Sequence, residues 1–420
     1  MRVICMPAAT DVIYLGIAVK AGTRDELPEE SGMAHLVEHM SFKGTTRLTA
    51  TQIASRLESV GGELNAFTGK EETMYYAACM RQHVGRAIPL LVDMVFNSTY
   101  PQRELEREVE VVADEIESYE DSPSELIFDE FDALLFPNHP LGRSILGKAE
   151  TLRTYKSEKL KAFTRRLYKP EQSILFVKGG RTGYDVLKGL RGVRFSLIRE
   201  MPDQGWSEGT IEIDESLNQR LVASLDENPV FVPMTPYKPQ TVYSNRATHQ
   251  AHVLTGNRAY AAQDDRYIGL TLLSNLIGGP GMNSRLNVAL RERRGLVYTV
   301  ESSLTGYTDV GVWGIYFGCD EADIKRCLRL VNSELRRLCD SPLPPRTLEA
   351  AKRQLKGQMA ISYDHFESVA ISMGRQFLHF NQVRSLSEMM QQIDALTALQ
   401  LQTIAQEILN PDHLTTLVYN

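Results

Sequence analysis

Apolar and polar positions succeed one another along this chain with two periods, and their order outlines the fold. The run VIYLGIAV (12–19) predicts a strand over 11–20. Helical spacing follows, with Ser31 as the expected N-cap of a helix reaching 41. TATQIASRLESVGG predicts a second helix, opened by Thr49 and Gln52 at capping-box spacing and stopped by Gly61 and Gly62. Strands are expected at 63–68 and 73–80, then a helix to about 97. Pro101 opens a long helix to about 121, ended by Asp121, Ser122 and Pro123. Helices over 124–136 and 157–167 and the strand SILFVKGG (173–180) complete this half.

The second half repeats the pattern. TMYYAACM and the residues after it read as a strand, a helix, a proline-marked break and a long helix, and VWGIYFGC and its sequel read the same way. Aligning Arg103 with Arg346 gives an offset of 346 − 103 = 243. Leu105 then meets Leu348, Val112 meets Leu355 and Ile116 meets Met359, so the apolar stripes coincide. The stretch 181–240 is less regular, with four prolines between 229 and 239, and is expected to connect two domains, 1–180 and 241–420.

Composition narrows the class. A chain of 420 residues, 43% hydrophobic and 24% charged, has the make-up of a globular protein of two or three domains. A net charge of −7 argues against a nucleic-acid binder, and no apolar run approaches the length of a membrane span. VIYLGIAV is flanked by Asp11 and Lys20 rather than by a small-residue cleavage site, so it reads as a strand and not as a leader core. Five cysteines without a CxxC pair suggest a reducing compartment, and a cytoplasmic location is expected.

The chemistry centres on HLVEH (35–39). Histidines four apart lie on one helix face, where both imidazoles can hold one metal ion, and Glu38 lies beside them. A catalytic zinc takes a third protein ligand and leaves a position for water. In the helix after Pro101, Glu106, Glu110, Asp114 and Glu117 point away from the apolar stripe, whereas Glu108 and Glu115, seven apart, flank it and can reach a buried metal. At the repeat offset these two fall on Ala351 and Gln358, and the second half has no HxxEH. A metal site confined to the first half is therefore expected.

With these motifs in view, the chain resembles the pitrilysin/insulinase family of zinc peptidases, especially its two-domain bacterial members and the mitochondrial processing peptidases. The resemblance rests on VKAGTRDE, SGMAHLVEHMSFKGT, LESVGGELNAFTGKEETMYY, EVVADEIESYEDSP, FPNHPLGRSILG and SRLNVALRERRGLVYTV, in that order. It implies an α+β protein of two homologous domains, each an antiparallel-rich sheet with helices packed on one face. It implies one Zn2+ per chain, held by His35, His39 and Glu115, with Glu38 as general base and Glu108 as a supporting carboxylate. It places Asn65 and Ala66 on an edge strand that pairs with substrate backbone. It gives Arg291 the task of holding substrate carbonyls and Tyr298 that of aiding the oxyanion.

The expected activity is a zinc-dependent endopeptidase acting on extended or unfolded peptides, as a homodimer or as a heterodimer with a degenerate homologue. Two other classes are open: a non-catalytic peptide-binding or scaffolding subunit, and an enzyme like the ribosylhomocysteine lyases, which share the helix but use a cysteine ligand, for which Cys79 is the counterpart.

Overall fold

The computed structural model describes residues 1–180, 197–200, 233–246 and 248–420. Most of the expected connecting stretch 181–240 lies outside these residues. The described chain forms two compact units, each built around one sheet.

The first sheet contains β1 (Arg2–Met6), β2 (Val12–Val19), β3 (Glu63–Thr68), β4 (Thr73–Met80), β5 (Ser173–Lys178) and β6 (Leu197–Glu200), in the order β3-β4-β2-β5-β1-β6. β2, β3, β4 and β5 are antiparallel neighbours, while β1 runs parallel to β5 and β6. Alternation gives the sheet two apolar faces. Leu15, Ile17, Tyr75, Leu175 and Val177 enter the main core of the unit. Beneath them pack α1 (Met33–Ser41), α2 (Ala50–Glu58), α3 (Val84–Asn97), α4 (Gln102–Glu120) and α7 (Ser157–Leu167). The stripe read from the sequence, Leu105, Val109, Val112 and Ile116, is the buried face of α4.

The opposite face carries Ile4, Met6, Ala18, Met74, Ile174 and Phe176, and its cover comes from far along the chain. Val369, Ala370, Met373 and Phe377 of the helix Phe366–Phe380 pack on it.

The second sheet contains β7 (Thr241–Ser244), β8 (Ala251–Ala259), β9 (Val297–Gly306), β10 (Gly311–Cys319) and β11 (Thr415–Tyr419), in the order β7-β11-β8-β10-β9. Read from the hairpin end, β9-β10-β8-β11-β7 repeats β3-β4-β2-β5-β1, with the same parallel pairing of first and last strands. Gln102–Glu120 and Pro345–Tyr363 have equal length and an offset of 345 − 102 = 243, so the duplication seen in the pattern is a duplication of topology. Here too a helix from the other half covers one face: Ile127, Phe131 and Leu135 of α5 (Pro123–Leu135) pack against Leu254, Tyr316 and Leu417. The segments 1–180 and 241–420 thus carry the strands of one sheet each, apart from the β6 contribution, and each half lends one helix to the unit of the other.

Two local expectations change. Ser31 does not cap α1; the N-cap is Gly32, with φ 78°, and no side chain caps from that position. A Cβ on Gly32 would lie 2.6 Å from the Leu146 carbonyl oxygen, so the site demands glycine for both dihedral and space. Glu26 serves instead, accepting from Gly32 N at 3.2 Å and Ala34 N at 2.9 Å. β1 is an additional strand. It is fully buried and only five residues long, and a short run without alternation gives no period to read.

All five cysteines are buried, and none forms a disulfide. Among the described residues, no helix is long and apolar enough to cross a membrane.

Candidate metal centre

The centre lies within the first unit, where α1 faces α4 and the end of β3. Met33, Leu36, Val37 and Met40 anchor α1 in the core, and this turns His35, Glu38 and His39 together towards α4. The imidazole centroids are 4.5 Å apart in an edge-to-face arrangement. Both Nε2 atoms approach one oxygen of Glu115, at 3.9 Å from His35 and 3.6 Å from His39. Tetrahedral zinc with bonds of ~2.0–2.1 Å sets neighbouring donors roughly 3.4 Å apart, so the trio needs only a small contraction to hold the ion. Among the described residues, it is the one group of His, Cys, Asp or Glu whose donor atoms gather closely enough for a metal. The Glu115 side chain is 45% exposed, which opens the cluster to solvent. Two histidines, one glutamate and an open side are the donor set of a catalytic zinc site.

Glu108, two turns before Glu115, reaches the other nitrogen of the same ring. His39 Nδ1–H donates to Glu108 Oε1 at 3.0 Å, which leaves the Nε2 lone pair facing Glu115. Lys43 Nζ lies 2.6 Å from Glu108 Oε2. Burial works against ionised Glu108, but the His39 and Lys43 hydrogen bonds outweigh it and hold its pKa below the usual value. For His39, burial pulls the pKa down, yet Glu108, Glu38 and Glu115 together raise it. His35 lies deeper, and burial followed by the neighbouring His39 charge lowers it to about 3, so it is a neutral donor at ordinary pH.

Glu38 is buried, and burial raises its pKa. Thr68, the last residue of β3, donates its hydroxyl to Glu38 Oε2 at 2.6 Å and moderates that rise. A carboxylate with a raised pKa, pinned at one oxygen and free at the other, is suited to taking up and releasing a proton. Asn65 and Ala66 lie on β3, whose outer edge pairs with no strand among the described residues. Asn65 is exposed and Ala66 packs against the core.

Arg291 and Tyr298 belong to the second unit. Arg291 lies in the π-helical turn Asn287–Glu292, and Tyr298, 66% exposed, is the second residue of the edge strand β9. Cys79 is 2% exposed in the core-facing side of β4 and takes no part in the donor cluster. Sequence reasoning did not find Lys43 or Thr68. The i+4 step from His39 to Lys43 was the available signal for the first; nothing in the sequence singles out the second.

Known proteins resemble this chain over most of its length. Residues 2–149 match the model described as insulinase (peptidase family M16), and residues 155–355 match the peptidase M16 inactive domain. YmxG of Bacillus subtilis, named an uncharacterized zinc protease, is 30% identical over 97% of this chain and 92% of its own length. The mitochondrial-processing peptidase subunit beta of Bos taurus is 30% identical over 95% of this chain and 78% of its own. A protease from Helicobacter pylori has the same fold, with a TM-score of 0.81 at 22% identity over 99% of this chain and 96% of its own. Similarity of this extent establishes that the chain belongs to the insulinase family, peptidase family M16.

Proposed function

We propose that this chain is a zinc-dependent endopeptidase that hydrolyses extended or unfolded peptides. The observation that carries the reading is the convergence of His35, His39 and Glu115 beside a buried, singly pinned Glu38. His35, His39 and Glu115 would hold one zinc ion, and bound zinc supplies a Lewis acid that polarises a carbonyl and brings the pKa of water to ~7. Glu38 takes the proton of the attacking water on its free oxygen and returns it to the leaving amine. Glu108 fixes the tautomer and orientation of His39. The open edge of β3 offers backbone donors and acceptors at Asn65 and Ala66 to a substrate in strand conformation, which selects chains without structure of their own. The family resemblance supports Arg291 as the group that holds substrate carbonyls and Tyr298 as a hydroxyl donor to the developing oxyanion.

Because one chain carries both the HxxEH helix and the Arg291–Tyr298 pair, the working assembly is a homodimer, and five cysteines without a disulfide fit a cytoplasmic setting. The name of the Bos taurus relative as a subunit supports a second reading, a peptide-binding partner in a heterodimer.

Zinc analysis beside a peptide-cleavage assay separates the two. Wild type is expected to hold zinc and to cleave quenched peptides in a chelator-sensitive way. Glu115→Gln should lose the metal. Glu38→Gln should keep it and lose about 10²–10⁴-fold in turnover. Zinc without cleavage would favour the subunit; near-wild-type turnover in Glu38→Gln would remove Glu38 from its role.

A further inference from the structure

The second unit contains a hollow of about 490 Å³, a size common among small-ligand sites. Its charged lining is Arg285, Arg293, Arg337 and Glu334, a net charge of 3 − 1 = +2. Arg337 already donates to Glu334 Oε1 at 2.7 Å, one turn away on the helix Ile324–Asp340. The guanidinium groups of Arg285 and Arg293 make no hydrogen bond or ion pair with the described residues. Arg285 is half-buried. Burial lowers its pKa, Glu334 partly restores it, and Arg337 adds to the lowering. A partly desolvated guanidinium whose nearest carboxylate is engaged lacks the counter-charge that buried ions ordinarily find.

The lining also includes Ser341 and the prolines leading into the helix Pro345–Tyr363, whose N-terminal end adds positive potential. Val288, Ala289 and Leu343 supply apolar surface beside the charges. The chain as a whole carries −7, so this concentration of cations is local.

We propose that this hollow binds a phosphate-bearing small molecule, with its phosphoryl oxygens held by Arg285 and Arg293. Guanidinium forks match phosphoryl oxygens two at a time, and a dianion balances the uncompensated charge where a single carboxylate would leave half of it. The apolar wall accommodates the organic part. The site is independent of the proposed peptidase chemistry.

The test is calorimetric titration of the full-length protein with inorganic pyrophosphate at low ionic strength, with chloride-matched salt as the control. Saturable binding at one site is expected. Arg285→Gln and Arg293→Gln should each weaken it by about tenfold or more, and Glu115→Gln should leave it unchanged. Arg293 is exposed, so its replacement tests the site without disturbing the fold. Absence of saturable binding, or wild-type affinity in both arginine variants, overturns the proposal. Loss confined to Glu115→Gln also overturns it, because the anion would then be at the metal centre.

Discussion

His39 is gripped from both sides by one helix, with Glu108 at Nδ1 and Glu115 at Nε2. Either carboxylate could serve a metal, and Lys43 explains the division of labour. Its ammonium group occupies Glu108 Oε2 while the His39 ring occupies Oε1, so both oxygens of Glu108 are engaged and Glu115 is the carboxylate left open for the proposed zinc. Glu108→Gln is expected to weaken zinc binding by roughly 10–100-fold in a chelator competition. Lys43→Met should produce a loss at the lower end of that range, about tenfold, with Lys43→Arg retaining most of the affinity. Equal affinity in Lys43→Met and wild type would show that Glu108 needs no counter-ion. Much of this centre was legible at the residue scale: four-residue spacing on a helix fixes His35 and His39 on one face, and the apolar stripe of α4 selects Glu108 and Glu115. Spacing does not distinguish the proposed ligand from its supporting carboxylate, because the difference depends on a lysine beyond the end of α1.

Among the elements, the helix Phe366–Phe380 is attached to the first sheet by more than apolar contact. Glu72, in the β3–β4 turn, accepts from Arg375 Nε at 2.7 Å and from His379 Nε2 at 2.9 Å. Burial alone would raise the Glu72 pKa, but His379 and Arg375 reverse this and lower it from 4.5. A depressed carboxylate pKa stabilises the folded state above the unfolded value, and the contribution disappears as pH falls through the folded value. Glu72→Gln should therefore cost about 2 kcal/mol near neutral pH by denaturant unfolding, and the gap from wild type should close below pH 4.5. A gap that persists at lower pH would mean that packing, not charge, is lost. Element boundaries were readable where local chemistry sets them, as in the Thr49–Gln52 capping box, which forms as expected. They were misread where a distant group does the work, as at α1, whose first amides are satisfied by Glu26.

At the scale of the whole molecule, the sequence pattern shows that the helix Phe366–Phe380 has an apolar face but cannot show what that face meets. The repeat implies two similar domains, and their topology follows it. The reciprocal loan of α5 and Phe366–Phe380 is invisible to periodicity, because both helices pack on sheets whose strands lie in the other half. Ile4, Met6, Ile174 and Phe176 depend on the borrowed helix for cover. At roughly 2 kcal/mol for each large side chain, their exposure would remove stability comparable to that of a whole domain. Fragments 1–232 and 233–420 expressed separately are expected to lack cooperative unfolding, and to regain it when co-expressed and co-purified. Cooperative melting of the first fragment alone near the wild-type temperature would refute this dependence. The loan also has a consequence in time. The last proposed zinc ligand leaves the ribosome at residue 115, but the helix that closes the back of its sheet ends at residue 380, 380 − 115 = 265 residues later. At ~5–20 residues per second, the nascent first unit waits about 13–50 s with an oily face uncovered. A nonsense codon just before Phe366 would spare every proposed zinc ligand in the message and still leave the sheet that supports them uncovered.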